Sequence, residues 1–236
     1  MSADLSVVVT VHDETAVCGP TMRAADLAVE VARRRGLTVQ TIVRLDAPTD
    51  ATLAYFHQRH FDHWEQRVRP DGAPDGVRGA FAAECEGRYL AFLSADDLCS
   101  ENWLAEGVAA VDAPHERGAQ VIAHPELSVV FDGQKAVRIS IAQDSPLFTP
   151  HHLCFRDYYD SPCIAPREAY LENPDENVEF TIETMAAGWQ HIVVKDTIIF
   201  ERRQDFSAPA ESLEPIARKL SAMAIDRIRD LGSARR

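Results

Sequence analysis

The apolar positions of this chain fall into short runs and one-sided stripes that alternate along its first half. Leu5 to Val11 (LSVVVTV) is dense in β-branched residues and has no helical period, so it predicts a buried first strand ended by His12-Asp13-Glu14. After Gly19-Pro20, Met22 to Arg35 places Ala24, Leu27, Ala28 and Val31 on one face, with basic residues in the last turn and Gly36 as the stop. That pattern predicts a surface helix packed on a sheet. Leu37 to Leu45 (LTVQTIVRL) predicts a second strand, which delivers Asp46 to the loop Ala47-Pro-Thr-Asp50; this loop can cap a helix from Ala51 to about Phe61.

Trp64 to Val68 predicts a short strand, Pro70 to Gly76 is turn-rich by composition, and Gly79 to Glu86 predicts a compact helix. Leu90 to Leu93, preceded by Gly87, is apolar and too brief for a helix, which fits a central strand covered on both faces. Asp96 and Asp97 stand at its C-terminal end, and a helix over Glu101 to Val111 follows. The alternation predicts a parallel sheet with right-handed crossovers. From Gln120 the texture changes: VIAHPELSVVFDGQKAVRISI alternates, with Asp132-Gly133 as a hairpin signal and hence an antiparallel extension. A helix over Val178 to Ala187 closed by Gly188, strands at His191 to Val194 and Thr197 to Phe200, and an amphipathic helix from Glu211 to Leu231 complete the chain.

With 236 residues the chain can bury a full core as one large or two small α/β domains. The formal charge is −13, from 24 Lys plus Arg against 37 Asp plus Glu. Nucleic acid and anionic membranes are poor partners for so acidic a chain, and a polyanionic small ligand needs a metal or local arginines to be held. Five scattered cysteines without a Cys-x-x-Cys pair indicate neither a disulfide framework nor a zinc knuckle. The expectation is a soluble, cytoplasmic protein with no membrane-spanning segment, since no stretch approaches the roughly 18 apolar residues a span requires.

Open α/β sheets bind ligands in the crevice beyond the carboxyl ends of their strands, and hard oxygen donors there can hold Mg or Mn. Asp96 and Asp97 occupy such an end, as do Asp46 and the group Thr10, His12 and Glu14. Each has a plainer alternative: Asp97 can cap a helix over Leu98 to Val111, Asp46 can be a turn or capping residue, and His12 can be a solvated loop histidine. His124, His151 and His152 match no standard zinc spacing and are read as core or surface residues.

These segments resemble, in order, the family 2 glycosyltransferases of the GT-A fold: VVVTVHDE at the first strand, IVRLDAPTDAT at the second, RGAFAAECEGRYLAFLSADD leading to a DxD-like motif, and ENVEFTIETMAAGW on the acceptor side. The resemblance implies a single GT-A domain over 1–236, with a nucleotide-binding half (1–111), an acceptor-side half (112–210) and a C-terminal helix (211–236). Its architecture would be a Rossmann-like three-layer α/β sheet, mostly parallel with an antiparallel extension.

The resemblance also implies roles. Asp96 would coordinate a Mg or Mn ion on the diphosphate, with Asp97 orienting its neighbours or a metal-bound water. Ser94 replaces the aspartate that usually touches the ribose. Asp46 would contact uracil, Thr10, His12 and Glu14 would line the cleft, and Arg78 would contact the nucleotide, although Gly79 replaces the usual asparagine. Arg202 and Arg203 would lie near the phosphates. Asn177 stands where the family has its aspartate base, and an amide cannot take that proton, so Glu176 or Asp175 becomes the candidate base. The implied activity is metal-dependent, inverting transfer from a nucleotide-sugar, by default a UDP-sugar, to a hydroxyl acceptor. The alternative is a nucleotide-sugar-binding or regulatory module on the same fold.

Overall fold

Strand β1 (Ala3–Val11) runs between β2 (Val39–Asp46) and β4 (Gly87–Ser94), parallel to both, and β2 carries β3 (Glu65–Arg69) in parallel on its outer edge. Leu5, Val7, Val9 and Val11 face one layer of core and Val8 the other, all fully buried, which is what an uninterrupted apolar run implies. Gly87 opens β4 against β1. Its N–H donates to Ser6 Oγ at 2.8 Å, and a Cβ at this position would run into the Ser6 backbone. The chain is described here from a computed structural model covering residues 3–57, 61–70, 77–133, 135–155, 158–159, 162–173, 178–203 and 220–233.

Helices α1 (Cys18–Arg34) and α4 (Trp103–Glu116) contribute to the core cluster on one face of the sheet, and α3 (Val77–Glu84) and α5 (Arg167–Glu172) to that on the other. Helix α2 (Asp50–Phe56) is capped by Thr49, whose Oγ1 accepts from Thr52 N at 3.2 Å. Two expectations need correction. Gly19-Pro20 is not a break but lies in the first turn of α1, where proline's missing N–H costs nothing. The buried stripe of α1 is Met22, Ala25, Ala28, Val29 and Ala32, leaving Leu27 44% exposed. The face of α1 turned to the core thus carries mostly small side chains beside Met22 and Val29.

In the second half β6 (Val121–Asp132) pairs with β7 (Ala136–Ile139) as the predicted hairpin; Asp132 there adopts a left-handed φ of 78°. On its other side β6 runs parallel to β9 (Gln190–Arg203). The two short strands expected over 191–200 are one strand, kinked where Asp196 takes φ 60° near a register shift between Pro125 and Leu127. Strand β8 (Ile164–Pro166), which the sequence reading passed over, pairs antiparallel with β4 and β6 and joins the halves. The strand order is β3-β2-β1-β4-β8-β6-β9-β5, with β7 on β6.

Strand β5 (Leu98–Cys99) follows β4 across only Ala95-Asp96-Asp97, yet it pairs antiparallel with β9 at the far end of that order. The sheet therefore curls until the ends of β4 and β9 meet. This corrects the alternative in which Asp97 caps a helix: Leu98 and Cys99 are a strand, and α4 begins only at Trp103. A third cluster, including Phe148, Leu153, Tyr159, Ile182, Met185, Ala224 and Ile228, lies under α6 (Val178–Ala186), α7 (Ala222–Ser233) and a 3-10 turn over Pro150–Cys154. The part of the predicted C-terminal helix before residue 220 is outside the described residues. No described helix is long and apolar enough to cross a membrane.

Candidate active site at the strand ends

Parallel register brings the predicted residues of three strands to one rim. Thr10 pairs with Arg44 on one side and Ser94 on the other. Thr10 Oγ1 donates to Leu93 O at 3.3 Å, and Ala95 N donates to Thr10 O at 3.0 Å, so the turn after β4 is pinned to the end of β1. Beyond β1 the chain folds back: the His12 N–H donates to Glu14 Oε2 at 2.7 Å, with His12 exposed and Glu14 half-buried. The Cys18 thiol, at the start of α1, is pushed up to about 11 by burial and is no nucleophile at neutral pH.

Asp46, the last residue of β2, is only 3% exposed, and Arg44 two residues earlier only 2%. Arg44 Nε lies 2.9 Å from Asp46 Oδ1 and 2.8 Å from Oδ2. Strand alternation puts both side chains on one face, where the Arg44 guanidinium carbon lies 5.1 Å from the centroid of the Phe81 ring in α3. Arg67 and Arg69 flank the same ring at 5.4 and 5.9 Å, and Arg69 is tied to Glu84 at 2.7 Å. The sequence reading did not single out Arg44. Its signal was a charge inside an apolar strand, two residues before an aspartate.

Asp96 and Asp97 are half-buried in the turn after β4, and Asp97 N donates to Ser94 O at 3.2 Å. The curl of the sheet brings Arg202 to this turn, where its backbone N–H donates to Asp97 Oδ1 at 3.0 Å. The Arg202 guanidinium leans on β6 instead, with Nε 3.7 Å from Asp132 Oδ2 and its carbon 5.3 Å above the Phe131 ring. Arg203 ends β9 and Arg78 lies in the first turn of α3; the side chains of both are outside what is described. So are Asp175, Glu176 and Asn177 altogether, which immediately precede α6.

The placement of α6 is nonetheless explicit. Thr184 Oγ1 lies 3.0 Å from His191 Nε2, and His191 Nδ1 lies 2.8 Å from His124 Nε2. Tyr159 stacks on His124 at 3.8 Å with 13° between the rings. Both histidines are held neutral by burial: His191 is lowered to about 3 and His124 well below 6.5, the latter also repelled by its partner. On the outer side, Arg227 of α7 reaches Glu183 at 2.8 Å, and Glu179 accepts from Ser221 N at 3.1 Å. Of the other histidines the sequence brought up, His151 is exposed, and His152 lies beside Tyr158. Among the described residues no group of three or more His, Cys, Asp and Glu could hold a metal on its own.

The model of glycosyl transferase family 2 matches residues 6–166, more than half of the chain. The chain belongs to that family and is a glycosyltransferase domain. Among solved structures it is similar to S. aureus TarS 1–349 in complex with UDP, with 16% identity, a TM-score of 0.59, and coverage of 85% of this chain and 60% of that one. The same protein in complex with UDP-GlcNAc gives 17%, 0.56, 85% and 58%. GalNAc-T7 with UDP, GalNAc and Mn2+ gives 15%, 0.59, 86% and 44%. At these identities the likeness establishes the fold, a curled GT-A sheet, and the chain spans 44 to 60% of the length of these structures. No curated protein matches.

Proposed function

We propose that this chain transfers a sugar from a nucleotide-sugar, by default a UDP-sugar, to a hydroxyl acceptor with inversion at the anomeric carbon. The observation that carries the reading is the convergence of Thr10, Asp46, Ser94 and Asp96 at the carboxyl ends of three adjacent parallel strands in a family 2 domain. The UDP and UDP-GlcNAc complexes of the similar TarS structure support the donor class.

In this reading the base and ribose lie against Asp46, Thr10 and Ser94, with Arg78, His12 and Glu14 at the rim. A divalent cation is implied by the family and by the Mn2+ named with GalNAc-T7. In this reading Asp96 contributes one hard carboxylate to a cation that keeps most of its waters, beside Asp97, whose Oδ1 accepts from Arg202 N. Held by Asp96, Mg or Mn would supply charge neutralisation to the leaving diphosphate.

The protein's own residues do the rest. The acceptor oxygen forms its bond to the anomeric carbon from the face opposite the diphosphate, the bond to the phosphate oxygen breaks, and its electron pair departs with the nucleotide. Glu176 or Asp175, just before α6, takes the acceptor's proton. In this reading Arg203, at the end of the last strand, is the candidate phosphate contact, while the Arg202 guanidinium stays with Asp132.

Asn177 and Ser94 favour a second reading, a nucleotide-sugar-binding module without efficient transfer. A crystal soaked with UDP and Mn tests what the two share. Density bridging Asp96 to a diphosphate supports the site, and a nucleotide bound elsewhere rejects it.

A further inference from the structure

Arg44 and Asp46 form a nearly dry ion pair at the end of β2, and among the described residues Asp46 is the only carboxylate that Arg44 meets. A buried ion pair is weak evidence of stabilisation, because desolvating two charges offsets their attraction. The neighbouring arginines are paired otherwise: Arg69, in register with Asp46, bonds Glu84, and Arg67 bonds Glu65 at 2.8 Å. The Arg44 guanidinium carbon lies 5.1 Å from the centroid of the Phe81 ring. Ahead of Asp46 the chain turns sharply, with Ala47 in the left-handed region at φ 45° and its N–H held by Arg69 O at 2.8 Å. Both oxygens of the Asp46 carboxylate lie within 2.9 Å of Arg44 Nε.

We infer that Arg44 is a positioning residue for base specificity: it fixes Asp46 as a rigid, acceptor-only edge at the nucleobase end of the cleft. The inference rests on the proposed role of Asp46 as the base contact. An acceptor-only carboxylate complements a base that presents a ring N–H donor, as uracil does at N3. Cytosine presents a lone pair at that place, which sets acceptor against acceptor. A carboxylate free to rotate or withdraw would discriminate less, so the selectivity resides in the arginine as well as in the aspartate. Lysine cannot substitute, because its ammonium lacks the planar donor geometry.

The test is calorimetric titration of UDP and CDP, each with Mn, into the wild-type protein and into R44K and D46N, with thermal unfolding to verify that each variant is folded. The wild type is expected to prefer UDP over CDP by about tenfold or more, the scale of one mismatched polar contact. Folded R44K is expected to lose most of that ratio, as D46N does. A folded R44K with an unchanged UDP-to-CDP ratio overturns the inference while leaving the proposed function intact. Equal wild-type affinity for UDP and CDP overturns it without recourse to any variant, which covers the case where R44K does not fold. A wild-type protein that binds neither nucleotide rejects the proposed function, and this inference with it.

Discussion

The backbone N–H of Arg202 donates to Asp97 Oδ1 at 3.0 Å, joining residues 105 positions apart. The bond exists because β5 pairs with β9 immediately beside it, so the turn that carries Asp96 is held from the far end of the sheet. Asp97→Ala removes the acceptor and leaves a part-buried N–H without its partner. It should lower stability by about 1.5–3 kcal/mol, the range for hydrogen bonds to charged groups, and weaken Mn-dependent UDP binding. Asp97→Asn keeps an acceptor oxygen and should lose less of both. Thermal unfolding and titration of the two variants provide the check.

Asp96 is half-buried and its replacement opens no core cavity. In Asp96→Ala, UDP binding should cease to respond to Mn or to EDTA, with thermal unfolding to verify that the variant is folded. A variant that retains the full Mn response would move the cation to other ligands.

Asp175 and Glu176 are proposed to share the role of base, with Asn177 unable to serve. Whichever is the base, its amide variant (Asp175→Asn or Glu176→Gln) should lower kcat by about 100- to 10,000-fold, the usual contribution of a positioned base, with nucleotide affinity unchanged. Asn177→Asp supplies a carboxylate at the next position and should raise kcat in the wild-type background. Initial rates at saturating donor decide between them.

The His124–His191 pair makes a pH-dependent prediction. Both groups have folded values below the ordinary 6.5, so the unfolded chain binds more protons and stability falls as pH falls. Their contribution is fully present above 6.5 and declines below it, toward about 3 for His191, at up to about 1.4 kcal/mol per pH unit for each histidine. Urea unfolding between pH 7.5 and 5.0 should show the decline, with a shallower slope in His191→Gln, which removes one titrating partner. Equal slopes in the two proteins would contradict the buried neutral pair.

Much of the first half was legible because its signals are local. The apolar runs at Leu5–Val11 and Leu90–Leu93 are central strands, and Thr10, Asp46, Ser94 and Asp96 follow at strand ends from chain order alone. What escaped was set by distant partners. Leu27 faces solvent while Met22, Ala25, Ala28, Val29 and Ala32 face the core, and Arg44 is buried against Phe81 and Asp46. His124 finds His191 across 67 residues, and the two-residue β5 is a strand only through β9. None of these leaves a periodic trace.

The proposed activity is nucleotide-sugar transfer at the strand ends that carry Asp96. It is tested most directly by incubating the full chain with Mn and a panel of nucleotide sugars, with and without hydroxyl acceptors, and measuring the free nucleotide produced by wild type and Asp96→Ala. Release of UDP from a UDP-sugar is expected to rise with an acceptor, to require Mn or Mg, and to be lost in the variant. A protein that releases no nucleotide from any donor in the panel, or releases it equally well without Asp96, contradicts it.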